Sequence, residues 1–227
     1  MALTFKPEEL PIAWIDTHLP PVAAARLSAT EIAARFRMPP AWAPEIAVER
    51  LFIERAPAQA AVLVPLVRRA ELMVLLTRRA DHLNDHAGQV SFPGGRVEPE
   101  DIDIVATALR ESLEEIGLHP RHVEIFGQLP TYTTGSGFVV TPVVGLVEPG
   151  FTLAMDAFEV ADVFEVPLSF LMTPANHRWH VVEHEGVRRE FLSMPWNGPG
   201  NDGQPRQFFI WGATAAMLRN FYRFLNA

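Results

Sequence analysis

The segment SFPGGRVEPEDIDIVATALRESLEEIGL, Ser91–Leu118, constrains the fold of this chain more than any other. It opens with the end of a strand-like run, GQVSFPGG, which closes in a glycine turn at Gly94-Gly95. Val105, Leu109, Leu113 and Ile116 then recur at helical spacing as one apolar stripe, and Gly117 stops the helix. Short β-rich runs surround this helix. AAVLVPLV and LMVLLTRR read as two paired strands, and HVEIFGQL and GFVVTPVVGLV as two more. EVADVFEVPLSFL mixes a turn or strand with a short helix. RWHVVEHEGVRREFLSM reads as a hairpin turning at Glu185-Gly186, and QFFIWGATAAMLRNFYRFL as a strand running into an amphipathic helix. The pattern predicts one mixed α+β domain over residues 51–227, with its strands gathered around the acidic helix. Residues 1–50 read as an arm with a short helix, opened by Ser28 and Glu31 in a capping-box pattern and ended by PPAWAPE.

Composition narrows the partners. The formal net charge is −8, so a generic nucleic-acid surface is not expected. An anionic substrate would need local arginines or bound cations. The absence of cysteine removes disulfides, thiolate nucleophiles and zinc–thiolate sites, and fits a reducing cytoplasm. MALTFKPEELPIAW lacks the pattern of a signal peptide, and no apolar run is long enough to span a bilayer, so no membrane partner is expected.

On the predicted helix Glu111 lies three residues before Glu114 and four before Glu115, so the three carboxylates share the face opposite the apolar stripe. Arg110, four before Glu114, can pair with it. A solvated face is the ordinary fate of an acid-rich helix. Here, however, adjacent like charges have one arginine between them and repel unless a cation bridges them. The preceding glycines let backbone carbonyls approach a ligand closely. Carboxylate and carbonyl oxygens are the donor set of Mg²⁺ or Mn²⁺, which bridge to substrate phosphates.

These residues resemble the Nudix box: Gly, five residues, Glu, seven residues, Arg-Glu, apolar, any, Glu-Glu, any, Gly, apolar. Its glycine falls on Gly95, and its second half on Arg110 through Leu118. Counting forward from Gly95, the first acidic position is Asp101; counting back from Arg110, it is Ile102. One residue is therefore inserted, and Ser112 stands at an apolar position. The wider stretch LLTRRADHLNDHAGQVSFPGGRVEPED, Leu75–Asp101, is similar to the extended signature of the coenzyme A pyrophosphatase branch, which also carries the longer box. Ala80 and Asn84 replace that branch's usual Ser and Arg.

The resemblance implies a Nudix fold, a mixed β-sheet sandwiched between α-helices (α/β/α). It implies that Glu111 and Glu115, with the Gly94 carbonyl, hold Mg²⁺ or Mn²⁺, and that Glu114 serves a further ion with Arg110 orienting it. The reaction implied is hydrolysis of coenzyme A or a derivative to 3',5'-ADP and 4'-phosphopantetheine. The metal would neutralise pyrophosphate oxygens and acidify a water whose proton passes to a carboxylate. Glu159 is the first candidate for that base and Glu165 the second; the alternative for both is a surface loop acid. Arg79, His86 and Gln89 are the candidate contacts to a small nucleotide substrate, with solvation the equal alternative for Arg78 and Arg79. Rival readings are hydrolysis of ADP-ribose or NADH, and a non-catalytic Nudix-fold binding module. His82 and His86 lack an HExxH context for zinc. His177, His180 and His184 are expected at the surface. Phe208, Phe209, Trp211, Leu218, Phe221 and Leu225 are expected to form core or homodimer contacts.

Overall fold

A computed structural model describes residues 6–49, 56–83, 86–184 and 187–227. The first elements are β1 (Ile12–Ile15), α1 (Ala29–Arg37), β2 (Ala58–Arg68), β3 (Leu72–Arg79), β4 (Val90–Ser91), β5 (Gly94–Arg96) and α2 (Ile104–Ile116). They are followed by β6 (Val123–Gln128), β7 (Tyr132–Thr133), β8 (Phe138–Val147), β9 (Val160–Pro167) and α3 (Leu168–Leu171). The chain closes with β10 (Arg178–His184), β11 (Val187–Pro199), β12 (Pro205–Trp211) and α4 (Gly212–Asn226). The expected boundary between residues 50 and 51, and the turns at Asn84-Asp85 and Glu185-Gly186, lie outside the described residues. The strands flanking the second turn do pair as a hairpin, from Arg178 opposite Ser193 to His184 opposite Val187.

Strand β2 organises the larger, mixed sheet. It runs parallel to β8, from Ala58 opposite Phe138 to Val67 opposite Val147. All other pairings there are antiparallel: β3 and β5 on β2, β4 and β9 on β3, and β6 and β7 on β8. On its other edge β2 serves two partners in turn, β5 along Ala60–Val62 and β3 along Leu66–Arg68. Pro65, with no N–H to donate, sits between them, where a ladder bond is not required. The sheet therefore forks, and β5 occupies the fork.

Side-chain alternation sets the layers. Ala61, Leu63 and Val67 of β2 and Leu75 of β3 face Ala108 and Ile116 of α2. Ala60, Val64 and Leu66, with Val74 and Leu76, face Ile32 of α1 and much of α4. This is the mixed sheet between helices that the sequence predicts. Two features differ. Strands β1, β10, β11 and β12 form a separate antiparallel sheet. And α4 is not amphipathic in its setting: Thr214 through Tyr222 are all buried, so α4, rather than the acidic helix, is the central one. Phe208, Leu218, Phe221 and Leu225 lie in that core, with Phe209 and Trp211 half-buried. Among the described residues no helix is long and apolar enough to cross a membrane.

Residues before position 50 are knitted into this layer. Ser28 caps α1 by accepting from the Glu31 N–H at 3.3 Å, and Arg35 donates to the Phe224 carbonyl of α4 at 2.7 Å. The fully buried Arg219 of α4 draws its partners from the same segment. Its guanidinium meets Glu45 at 2.9 and 3.0 Å and Asp16 at 3.0 Å, and donates to Nδ1 of His177 at 2.9 Å. An arginine only donates, so His177 carries its proton on Nε2, which bonds the Leu171 carbonyl at 2.8 Å. His177 and His180 are thus buried, not superficial. Each has long-range acceptors or donors that local sequence does not reveal, His180 between the Pro11 carbonyl and the Ser193 hydroxyl.

Burial, only partly opposed by the Leu171 carbonyl and reinforced by Arg219, pushes His177 down to about 4 from 6.5. The unfolded chain therefore binds a proton between those values that the folded chain does not. The stabilisation is complete above about pH 6.5 and declines as pH falls toward about 4, by up to roughly 3 kcal/mol. Urea unfolding midpoints across that window should show the decline, and His177→Gln should flatten it.

Candidate active site

Helix α2 is framed as its ends predict. Asp103 caps it, accepting from the Ala106 N–H at 2.8 Å, and Gly117 adopts the left-handed conformation (φ 70°) that ends it. Its rotation differs from the expected stripe. Leu113 is exposed and Val105 and Leu109 are only half-buried, while Thr107, Ala108, Ser112, Glu115 and Ile116 form the buried face. Ser112 tolerates burial because its hydroxyl donates to the Ala108 carbonyl at 2.6 Å. The rotation turns Glu115 inward to 6% exposure, leaves Glu111 half-buried and puts Glu114 in solvent. The three carboxylates therefore do not share one open face.

The glycines are not a turn either. Gly94 and Gly95 are extended in β5, opposite Val62 and Ala61. Each is required by a close approach. A Cβ on Gly94 would stand 2.3 Å from the Ala61 carbonyl oxygen, and one on Gly95 would stand 2.5 Å from the Glu111 carboxyl. Strand β5 thus presses backbone against the acidic helix. The Gly94 N–H donates to Oε2 of Glu115 at 3.2 Å.

Arg110 fixes this arrangement. Its Nε and Nη2 bond the two oxygens of Asp101, each at 3.0 Å. Nη1 meets Glu111 at 2.9 Å and Glu114 at 3.0 Å, and Nη2 also donates to the Arg96 carbonyl at 3.0 Å. One planar cation thereby joins the loop, β5 and α2. Asp101 also accepts from the Glu98 N–H and the Thr107 hydroxyl, at 2.9 and 2.8 Å. Arg110, first in cause, and these donors hold Asp101 far below the ordinary carboxylate range. The inserted residue is accommodated as Ile102, which is 91% exposed, so Asp101 keeps the inward position. The sequence marks Asp101 as the first acidic position of the box but gives no sign of Thr107 or of their partners, because the bidentate reach of Arg110 nine residues back depends on the loop's path.

Electrostatics concentrate on two glutamates. Burial raises Glu111, against the pull of Arg110 and with the push of Glu114 and Glu159. Burial raises Glu115 to about 8, the Gly94 N–H opposing it, with Glu111 and Glu159 adding repulsion and Arg79 attraction. The carboxylate of Glu159, on the exposed turn before β9, is therefore within electrostatic reach of both. Among the described residues no ion pair reaches Glu115, and no three acidic or histidine side chains are drawn tightly enough to cage a metal. A desolvated, unneutralised carboxylate next to a second one, with strand backbone in contact, nonetheless has the oxygen-rich chemistry of a divalent-cation site. Glu111, Glu115 and the backbone of Gly94 fit such an ion.

Loop 80–89 closes one side. Its ends are tied by the Arg79 N–H to the Gln89 carbonyl at 2.9 Å, and the Ala80 N–H donates to the Glu159 carbonyl at 2.8 Å. The side chains of His86 and Gln89 bond each other at 2.9 Å, with His86 at a positive φ of 59°. Among the described residues, Nε of Arg79 is buried without a hydrogen-bond partner. Arg78 is taken by Asp81 at 2.7 Å. Asn84, the departure from the branch signature, lies outside the described residues. Glu165, the second candidate base, is held by Arg69 at 2.6 Å on β9, six residues from Glu159.

Comparison with known proteins agrees on the family. The model described as NUDIX domain matches residues 57–180. A protein named uncharacterized Nudix hydrolase NudL, from Yersinia enterocolitica, is 43% identical over 168 residues, covering 74% of this chain and 81% of its own. Its Salmonella heidelberg namesake is 40% identical over 196 residues, covering 86% and 93%. A MutT protein structure from Methanosarcina mazei Go1 is similar at 21% identity and a TM-score of 0.42, covering 54% of this chain and 88% of that one.

An acid raised by folding destabilises the native state at neutral pH, because the unfolded chain ionises freely. Glu115→Gln keeps an acceptor for the Gly94 N–H and removes that penalty. It should stabilise the metal-free protein by about 1–3 kcal/mol at neutral pH, read from denaturant unfolding. Titration calorimetry of the same variant should show Mn²⁺ affinity reduced at least about tenfold.

Proposed function

The chain belongs to the NUDIX domain family as a Nudix hydrolase, and from that premise we propose that it cleaves the pyrophosphate bond of coenzyme A or its derivatives, with Mg²⁺ or Mn²⁺ as cofactor. The products are 3',5'-ADP and 4'-phosphopantetheine. The observation that carries the reading is the position of the signature segment. Arg79 at the end of β3, and His86 and Gln89 on the loop that follows, all lie within the stretch similar to the coenzyme A branch, and Ala80 between them is hydrogen-bonded to the backbone of Glu159, which acts on Glu111 and Glu115.

Roles follow from these positions. Glu111, Glu115 and the Gly94 carbonyl hold the cation, and Glu114 serves a second. When bound, it supplies charge neutralisation for the pyrophosphate and acidifies a water. Arg110 is a positioning residue: it fixes Glu111 and Glu114 while Asp101 absorbs its charge. Arg79, whose charge acts on Glu115, offers a cation beside the site to an anionic substrate, which suits a chain of net charge −8 that repels anions elsewhere. His86 and Gln89 form a second polar contact. Glu159, exposed and free to approach substrate, takes the proton of the water that attacks phosphorus. We assign residues 51–227 as the hydrolase domain and 1–50 as its structural arm, and place the reaction in a reducing cytoplasm on the cysteine-free composition.

A panel of coenzyme A, 3'-dephospho-coenzyme A, ADP-ribose and NADH at fixed Mg²⁺ tests the substrate. Coenzyme A should give the highest kcat/KM; efficient cleavage of ADP-ribose or NADH without it would overturn the assignment. Glu159→Gln should lower kcat by roughly 10²–10⁴-fold with KM changed little. Wild-type turnover in that variant would remove Glu159 from the mechanism.

A further inference from the structure

Phe158 is 66% exposed, the position immediately before Glu159. Its placement is fixed on both sides. Asp156 accepts from the Phe158 N–H at 2.8 Å, which shapes the turn. His82, on loop 80–89, meets the ring edge-on at 4.8 Å between centroids and 61° between planes. His82 is itself exposed. The two loops that carry these rings are joined by the Ala80 N–H and the Glu159 carbonyl. An open corner of two aromatic rings therefore stands at the rim of the site, one residue from the group that couples to Glu111 and Glu115.

We propose that Phe158, with His82 bracing it, is the surface on which the planar base of the nucleotide substrate stacks, and so a specificity-determining residue for base-containing diphosphates. This rests on the functional reading above for its diphosphate site, but not on coenzyme A being the substrate. Three observations point to a heterocycle. Two rings at 61° leave a planar face free, and stacking rewards a flat π-system over a flexible chain. The pair stands on the turn that carries Glu159 and on the loop hydrogen-bonded to it, beside the acids and not among them. And Phe158 is 66% exposed, with His82 its only ring contact among the described residues.

The test separates base from diphosphate. Binding of ADP and of inorganic pyrophosphate, each with Mg²⁺, is measured by calorimetry for the native protein, Phe158→Ala, Phe158→Trp and His82→Ala. Phe158→Ala should weaken ADP about 5- to 50-fold and leave pyrophosphate unchanged, as expected for one lost stacking contact. Phe158→Trp should restore ADP binding, and His82→Ala should give a smaller loss of the same kind. Equal effects on ADP and pyrophosphate, or no effect on either, would overturn the proposal. A largely exposed ring can be removed with folding intact, and the tryptophan variant separates loss of stacking from loss of structure. Failure of the coenzyme A reading would show instead in the substrate panel, with ADP discrimination by Phe158 preserved.

Discussion

Arg110 and Asp101 make the two-pronged pair on which the acidic helix depends. Without it, Glu111 and Glu114 would face each other across one turn with nothing to offset their repulsion. The same guanidinium reaches the Arg96 carbonyl, so it locks the strand of glycines to the helix as well as ordering the acids. Geometry at this point is therefore set by a cation that is not itself available to a ligand. Glu115 stands outside the clamp, and burial raises its carboxyl to about 8 because an ionised Glu115 meets no paired cation among the described residues, which is the condition a divalent ion would relieve.

A second buried cation serves the opposite end of the molecule. Arg219 gathers Asp16, Glu45 and His177 from segments far apart in the chain and fastens the first fifty residues to the central helix. Such a network adds little net stability compared with an apolar core of the same volume, but breaking one member leaves the others unpaired. The N-terminal segment is thus a structural component of the core layer. Its chemistry is separate from that of the acidic helix, which packs on the other face of the sheet.

Much of this was legible in the residues. The strand pair of β2 and β3, the helix stop at Gly117, and the strand-to-helix close of the chain follow from local pattern. The expectation that Glu111, Glu115 and Arg110 belong to the site comes from spacing and resemblance. What local pattern misread has one cause: partners distant in sequence. The apolar stripe of α2 implied burial of Leu113, yet Ser112 can be buried through its own helix and Glu115 through the Gly94 N–H, so the helix turns. A pair of glycines reads as a turn until the neighbouring strand shows that the requirement is clearance. His177 and His180 look polar and superficial until Arg219 and the Pro11 carbonyl are placed against them.

The parallel pairing of β2 with β8 has a kinetic meaning. It joins residues 58–67 to residues 138–147, and the whole of loop 80–89, β5 and α2 lies inside the loop so closed. No local hairpin can assemble the site first, since β5 has no strand to lie on until β2 is in place and no clearance to respect until α2 packs. Loop-closure entropy is met before the glycine strand is brought against the acids of α2, so the contact between Gly95 and Glu111 belongs to the closed sheet and not to the helix alone.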